Sequence, residues 1–324
     1  MSATLTYCTD KSLRCTRIIW RWRRLRPLNR GSDAFVFNTS ATADLARAFA
    51  FGPLTFGPLT IALLARYSVS QTVCYEQPLN ERVRSLLRLE FLFQQMDHAI
   101  TGHSAWDSRV ALQGLFDILA LTGRNEFKGD LLKELDRHAT TLNRLRQTPG
   151  VDTGMLDRVL IEIGEVIGWI HRQDNQMQDA VRQIDFLSAA HKRSHVPGGS
   201  CQFDVPALYH WLQADHSVRV QHLQGWLIPF GPMREAVTLI LRLIRESATP
   251  RPEIASRGFF QRGLDSGASH QLIRVLLPAG WVCFPEISGG KHRFTIHFLE
   301  QPDPNRRAVQ STADIPFELA CCAI

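Results

Sequence analysis

The hydrophobic pattern of this chain changes its period once, and that change constrains the fold more than any other feature. From Asn80 to Ser247 apolar residues recur every three or four positions, whereas beyond Pro250 they recur every two. The first spacing buries one stripe of a helix and the second buries one face of a strand. An α+β protein is therefore expected, with a mainly helical antiparallel bundle over residues 69–249 and a smaller antiparallel β-rich part over residues 250–324.

Individual helices can be placed by their stripes and stops. Leu86, Leu89, Phe93, Met96 and Ile100 line one face of a helix from Leu79 to Ile100, with Asn80 as N-cap and Glu81 in the favourable first turn. A second helix is expected from Ser108 to Leu121, stopped by Gly123, and a third from Phe127 to Arg146, closed by Thr148-Pro149-Gly150. Asp152 can cap a fourth that runs to His171. Further helices fit Gln178 to Lys192, Ala207 to Gln213, Val218 to Leu227 and Met233 to Ser247. Short connections between the first four imply an antiparallel bundle.

Strands are expected at Gly258 to Arg262, Gln271 to Leu277, Trp281 to Ile287, His292 to Leu299 and Ile315 to Cys321. Thr72 to Glu76, ahead of the helices, also reads as a strand and is expected to join the sheet as an edge. Two of the runs meet at Ser288-Gly289-Gly290, a glycine pair that predicts a tight hairpin. On the strand leaving it, Phe294, Ile296 and Phe298 alternate with Arg293, Thr295 and His297, so the rings should face one way and the basic residues the other. Such a row is either a solvated sheet face or a docking surface for something acidic.

Charge is unevenly distributed. Residues 1 to 68 hold ten Lys or Arg and three Asp or Glu, leaving 27 of the 37 basic and 28 of the 31 acidic residues to the remainder. The net charge of +6 therefore belongs to the first 68 residues, and the rest of the chain is near neutral. An electrostatic case for nucleic acid must rest on local patches. The early segment carries WRWRRLRPLNR at 20–30 and the direct repeat FGPLTFGPLT, whose two Gly-Pro steps would break any spanning helix. A disordered leader, or residues upstream of the natural start, is the expectation there. Seven scattered cysteines without a two-residue pair fit a reducing, cytoplasmic compartment.

Catalytic spacing is missing. A phosphate-binding loop ending at Gly290-Lys291 would need Gly at 285 and Ser or Thr at 292, where Pro285 and His292 stand. His191 and His195 lie one helical turn apart with Cys201 nearby, but no acidic base sits between them and Lys192 and Arg193 do. Asp130, Glu134 and Asp136 with Lys133 and Arg137 read as the solvated face of the third helix. No catalytic residue, metal centre or cofactor is expected. A nucleic-acid-binding protein using the basic sheet face is the alternative, although alternation turns its rings away from that face.

Several ordered segments carry a family resemblance: EQPLNERVRSLLRLEFLFQQ from Glu76, LLKELDRHATTL from Leu131, PGGSCQFDVPALYHWL from Pro197, FPEISGGKHRFTIHF from Phe284 and DIPFELACC from Asp314. Together they resemble the bacterial cell-division family ZapD. The resemblance implies a cytoplasmic homodimer at the mid-cell division site, with a helical and a β domain and no enzymatic activity. Its implied partner is FtsZ, whose C-terminal peptide it would bind while bundling FtsZ filaments into the Z-ring; no nucleic acid and no membrane are implied. Carried over by position, the tail-binding residues would be Arg124, Lys128, Lys291, Arg293 and His297, with Arg88 near the dimer interface. His297 stands where an arginine is expected, and a histidine would make a carboxylate contact weaker and pH-sensitive. The resemblance also implies a start about ten residues before the PLN motif, where Val69 stands ten residues before Leu79. A GTG start codon there would place residues 1 to 68 outside the protein.

Overall fold

The computed structural model describes residues 72–324 apart from 124–126, 173–174 and 291. The expectations for residues 1–68, and those that fall on Arg124 and Lys291, lie outside the described residues. Within Val69–Ile324 the chain forms a helical layer, a four-stranded sheet and a second sheet, stacked in that order about two apolar cores.

The helical layer follows its caps. β1 (Thr72–Pro78) leads into α1 (Glu81–Thr101), where the Asn80 side chain accepts from the Val83 N–H at 2.9 Å. α2 (Ala105–Thr122) begins three residues before Ser108, because Ser104 and Asp107 close a reciprocal capping box that starts the helix at Ala105. α3 (Phe127–Leu145) and α4 (Thr153–Arg172) pack against each other, and Asp152 caps α4 through the Met155 N–H at 3.0 Å. The single helix expected over 178–192 is instead two, α5 (Asn175–Gln183) and α6 (Asp185–Ser194). Ile184 leaves helical dihedrals between them (φ −62°, ψ 115°), and Asp185 supplies the acidic first residue of the new helix. α7 (Pro206–Leu212), α8 (His216–Leu227) and a 3-10 turn lead to α9 (Gly231–Glu246).

α9 is the central member of the bundle. It buries eight side chains, from Met233 to Ile244, and packs on α1, α3 and α4. A helix apolar around so much of its circumference has to sit inside the layer.

The β part contains β2 (Arg251–Ala255), β3 (Phe259–Gly263), β4 (His270–Pro278), β5 (Cys283–Gly289), β6 (Arg293–Glu300), β7 (Val309–Gln310) and β8 (Ile315–Ala323). The inner sheet has the order β1-β4-β8-β2, all antiparallel, and the outer has β3-β6-β5 with β7 against β6. β1 is thus an edge strand of the inner sheet. β2 escaped the sequence reading because Pro252 interrupts it; it lies on the other edge of the sheet, where a proline is tolerated. Period-two alternation gives β4 and β8 both of their neighbours. Leu272, Ala320 and Cys322 face the helices, while Ile273, Val275, Leu277, Phe317 and Leu319 face the outer sheet. There they meet Phe294, Ile296 and Phe298 of β6, all at most 1% exposed, with Phe298 and Phe317 ring centroids 5.1 Å apart.

Candidate binding surface at the β5–β6 hairpin

β5 and β6 pair through Gly289 opposite Phe294, and the Gly290 N–H donates to the Arg293 carbonyl at 3.0 Å. The strands are therefore still paired at Gly289 and Gly290, where the Ser288-Gly289-Gly290 reading had placed the turn. The glycines serve a different purpose. A Cβ on Gly289 would fall 2.6 Å from Leu79 Cδ2, so a side chain there would have to displace the end of Leu79 where the hairpin closes against the junction of β1 and α1.

With the rings of β6 inside, its other face is outside, as alternation requires. Arg293 is exposed, and Thr295 and His297 are half-buried. Arg293 has no ion-pair partner among the described residues. His297 is engaged: Nδ1 lies 3.1 Å from Gln310 Oε1, and the ring is 5.0 Å from that of Phe259. Because Gln310 Nε2 donates to the Arg257 carbonyl at 3.0 Å, Oε1 is the atom turned to the histidine, so Nδ1–H donates and Nε2 is the nitrogen this bond leaves. Glu286 stands opposite His297 on β5. The row is therefore most basic at its turn end.

Two concavities flank the same junction. One, about 520 Å³, has Pro78, Leu87, Phe91, Leu92 and Leu121 as its apolar walls and Arg84 and Arg88 at its rim. Phe91 is 63% exposed, which a soluble surface seldom leaves without a purpose when its neighbours are apolar too. Glu81 holds both arginines, at 2.7 Å from Arg84 and 3.8 Å from Arg88, so the rim is fixed but still net basic. The other, about 660 Å³ and more polar, lies between Leu79, Asn80, the 265–270 loop and His292 of the hairpin turn. Gln77 lines the first and also approaches Gly289, which ties the groove to the hairpin end.

Arg293 and His297 thus share one strand face, two side chains apart. Lys128 sits in the first turn of α3, and Arg88 on α1 at the groove rim, both in the helical layer. The groove itself was missed by sequence reasoning. Leu87 and Phe91 lie off the buried stripe of α1 and four residues apart, a spacing that places two apolar side chains together on its outer face.

Other charged groups are committed to the interior. Glu134, expected on a solvated face, is 1% exposed. It accepts from Arg82 of α1 at 2.5 Å, from Arg137, and lies 3.2 Å from His138 Nε2. Burial pushes its carboxyl up, but these bonds outweigh burial and hold it at about 2. Arg245 of α9 makes bidentate contact with Glu76 of β1 and with Glu90 of α1, and Arg274 of β4 donates to Glu76 at 3.0 Å. Burial alone would lower the Arg245 pKa, yet Glu90 and Glu76 raise it. Among the described residues no three His, Cys, Asp or Glu side chains group as a metal cage, and no helix is long and apolar enough to cross a membrane.

A helical layer backed by a two-sheet sandwich, with a basic hairpin strand and an arginine-rimmed apolar groove near their junction, defines an α+β protein. Comparison with known proteins supplies the family. The ZapD family model, described as a cell division protein, matches residues 87–297. The cell division protein ZapD of Methylococcus capsulatus is 40% identical over 252 residues, covering 78% of this chain and 98% of its own length. Those of Aromatoleum aromaticum (36% identical; 78% and 98% covered) and Nitrosomonas europaea (34%; 78% and 95%) are similar over the same extent. The chain belongs to the ZapD family of cell division proteins.

Proposed function

We propose that this protein binds the C-terminal peptide of FtsZ and, as a homodimer in the cytoplasm, cross-links FtsZ filaments at the mid-cell. It acts by binding and carries out no catalysis. The observation that carries this reading is Arg293: an exposed guanidinium without an ion-pair partner among the described residues, at the end of a hairpin seated beside an apolar groove. A peptide carboxylate would be held by Arg293 in bidentate fashion, with Lys291, Lys128 and Arg124 adding positive potential and apolar side chains of the tail entering the groove. His297, held by Gln310 and Phe259, would present Nε2 to the same peptide. Two copies related by a two-fold axis present two such sites, and a polymer offers many tails. Modest affinity per site then suffices for bundling.

The test is cosedimentation with FtsZ polymers, with and without the FtsZ C-terminal peptide. Arg293→Glu is expected to abolish pelleting while the variant elutes as wild type does on size exclusion. Undiminished pelleting of Arg293→Glu would take the hairpin out of the site.

A further inference from the structure

α6 carries His191 in its last turn, and His195 follows as its C-cap residue, four positions on. Their Nε2 atoms face each other at 3.3 Å, with ring centroids 5.0 Å apart and the rings at 65°. His191 is seated by Phe116 of α2, its ring centroid 5.0 Å away, so one of the two ligands is already held in place. Cys201 is turned elsewhere, its Sγ lying 3.3 Å from Asp204 Oδ2.

We propose that His191 and His195 chelate a divalent transition ion of borderline softness, Zn²⁺, Ni²⁺ or Cu²⁺. Two nitrogens bound to one Zn²⁺ at about 2.0–2.1 Å with its tetrahedral angle lie about 3.3–3.4 Å apart. The observed separation is that edge, and the exposed His195 ring can close to the smaller angle that Ni²⁺ or Cu²⁺ takes. An i, i+4 histidine pair on a helix is also the arrangement that presents two imidazole lone pairs to one point in space. Nitrogen donors select these ions over Mg²⁺ and Ca²⁺, which take oxygen. The ion accepts the lone pairs of both Nε2 atoms, so the hydrogen that bridges the two rings in its absence moves to Nδ1 of its own ring. Because no third His, Cys, Asp or Glu completes the group among the described residues, the remaining positions are filled by water.

The surroundings suit such a chelate. Asp117 of α2 interacts electrostatically with His191, and as an anion it offsets the charge of the ion. Lys192 and Arg193 lie between the two histidines in sequence and lead away from the shared face. With both rings tied to one ion, the last turn of α6 is stapled just ahead of the 197–204 loop.

Calorimetric titration of the full chain with Ni²⁺ and with Zn²⁺, under a reductant that does not bind metals, decides this when wild type and His195→Ala are compared. Both share every cysteine, so their difference reports the pair. Wild type is expected to bind one more equivalent than His195→Ala, or the same equivalent on the order of a hundredfold more tightly. The imidazole Hε1 resonances of His191 and His195 are expected to be the first histidine signals to shift. Identical isotherms for the two proteins, or first shifts at other histidines, would overturn the proposal.

Discussion

Glu134 shows how a single side chain comes to depend on its environment. Its carboxylate is 1% exposed and takes bonds from Arg82, Arg137 and His138. With its pKa lowered from 4.5 to about 2, the folded state binds its proton less readily than the unfolded chain does. The stabilisation is therefore fully present above pH 4.5 and is lost as pH falls through the window toward 2. By linkage it amounts to about 3 kcal/mol. Urea unfolding of wild type at a series of pH values should show this loss, and Glu134→Gln should be less stable at pH 7 while losing less between pH 5 and pH 3. Equal pH slopes for the two proteins would mean that Glu134 titrates normally. Nothing in the sequence distinguished this residue from its solvated neighbours Asp130 and Asp136. Charges at three- and four-residue spacing look alike whether wet or buried, and the partner that matters, Arg82, lies 52 positions away.

At the scale of elements, Arg245 joins four pieces of the chain that the sequence separates. Through Glu90, Glu76 and, by way of Glu76, Arg274, it ties α9 to α1, β1 and β4. Replacing it by Met leaves two mostly buried carboxylates, with only Arg274 to serve one of them. Arg245→Met is expected to cost about 3 kcal/mol, read as a lower urea midpoint with an unchanged slope; a midpoint equal to wild type would show that the carboxylates find other partners. What was legible at this scale was whatever a short window encodes. The change from helical to strand period, the Asn80 cap and the alternation of Phe294, Ile296 and Phe298 each rest on neighbours within a few residues. β2 was hidden because Pro252 signals a break unless the strand is known to be an edge. Ile184 gave no warning of its kink, since its apolar side chain continues the stripe. The groove beside the hairpin was legible only in Leu87 and Phe91, and its walls outside α1, Gln77 and Pro78 of β1 and Leu121 of α2, are brought to it by no periodicity.

For the molecule as a whole, the proposed bundling rests on exposed charge. Such contacts are screened over about 8 Å at 0.15 M salt, so light scattering from FtsZ polymers mixed with this protein should fall steeply as salt is raised from 0.05 to 0.5 M, roughly in proportion to the screening. Scattering that holds constant across that range would place the binding energy in the apolar groove instead.

The inner sheet has a further consequence. Its order, β1-β4-β8-β2, places Thr72–Pro78 and Ile315–Ala323 on either side of one strand, so the first and last strands of the described chain flank β4. β8 is also the strand that gives Ala320 and Cys322 to the helices and Phe317 and Leu319 to the outer sheet. A ribosome releases these residues after everything else in the fold has emerged. Until then β4 has one neighbour instead of two, α9 lacks part of the surface it rests on, and the rings of β6 lack the Phe317 and Leu319 part of their opposite wall. Non-local pairing of this kind makes folding slow relative to helical bundles. A half-made copy would carry the β5–β6 hairpin on an incomplete sandwich, so the candidate surface takes its final form only when the last strand is in place.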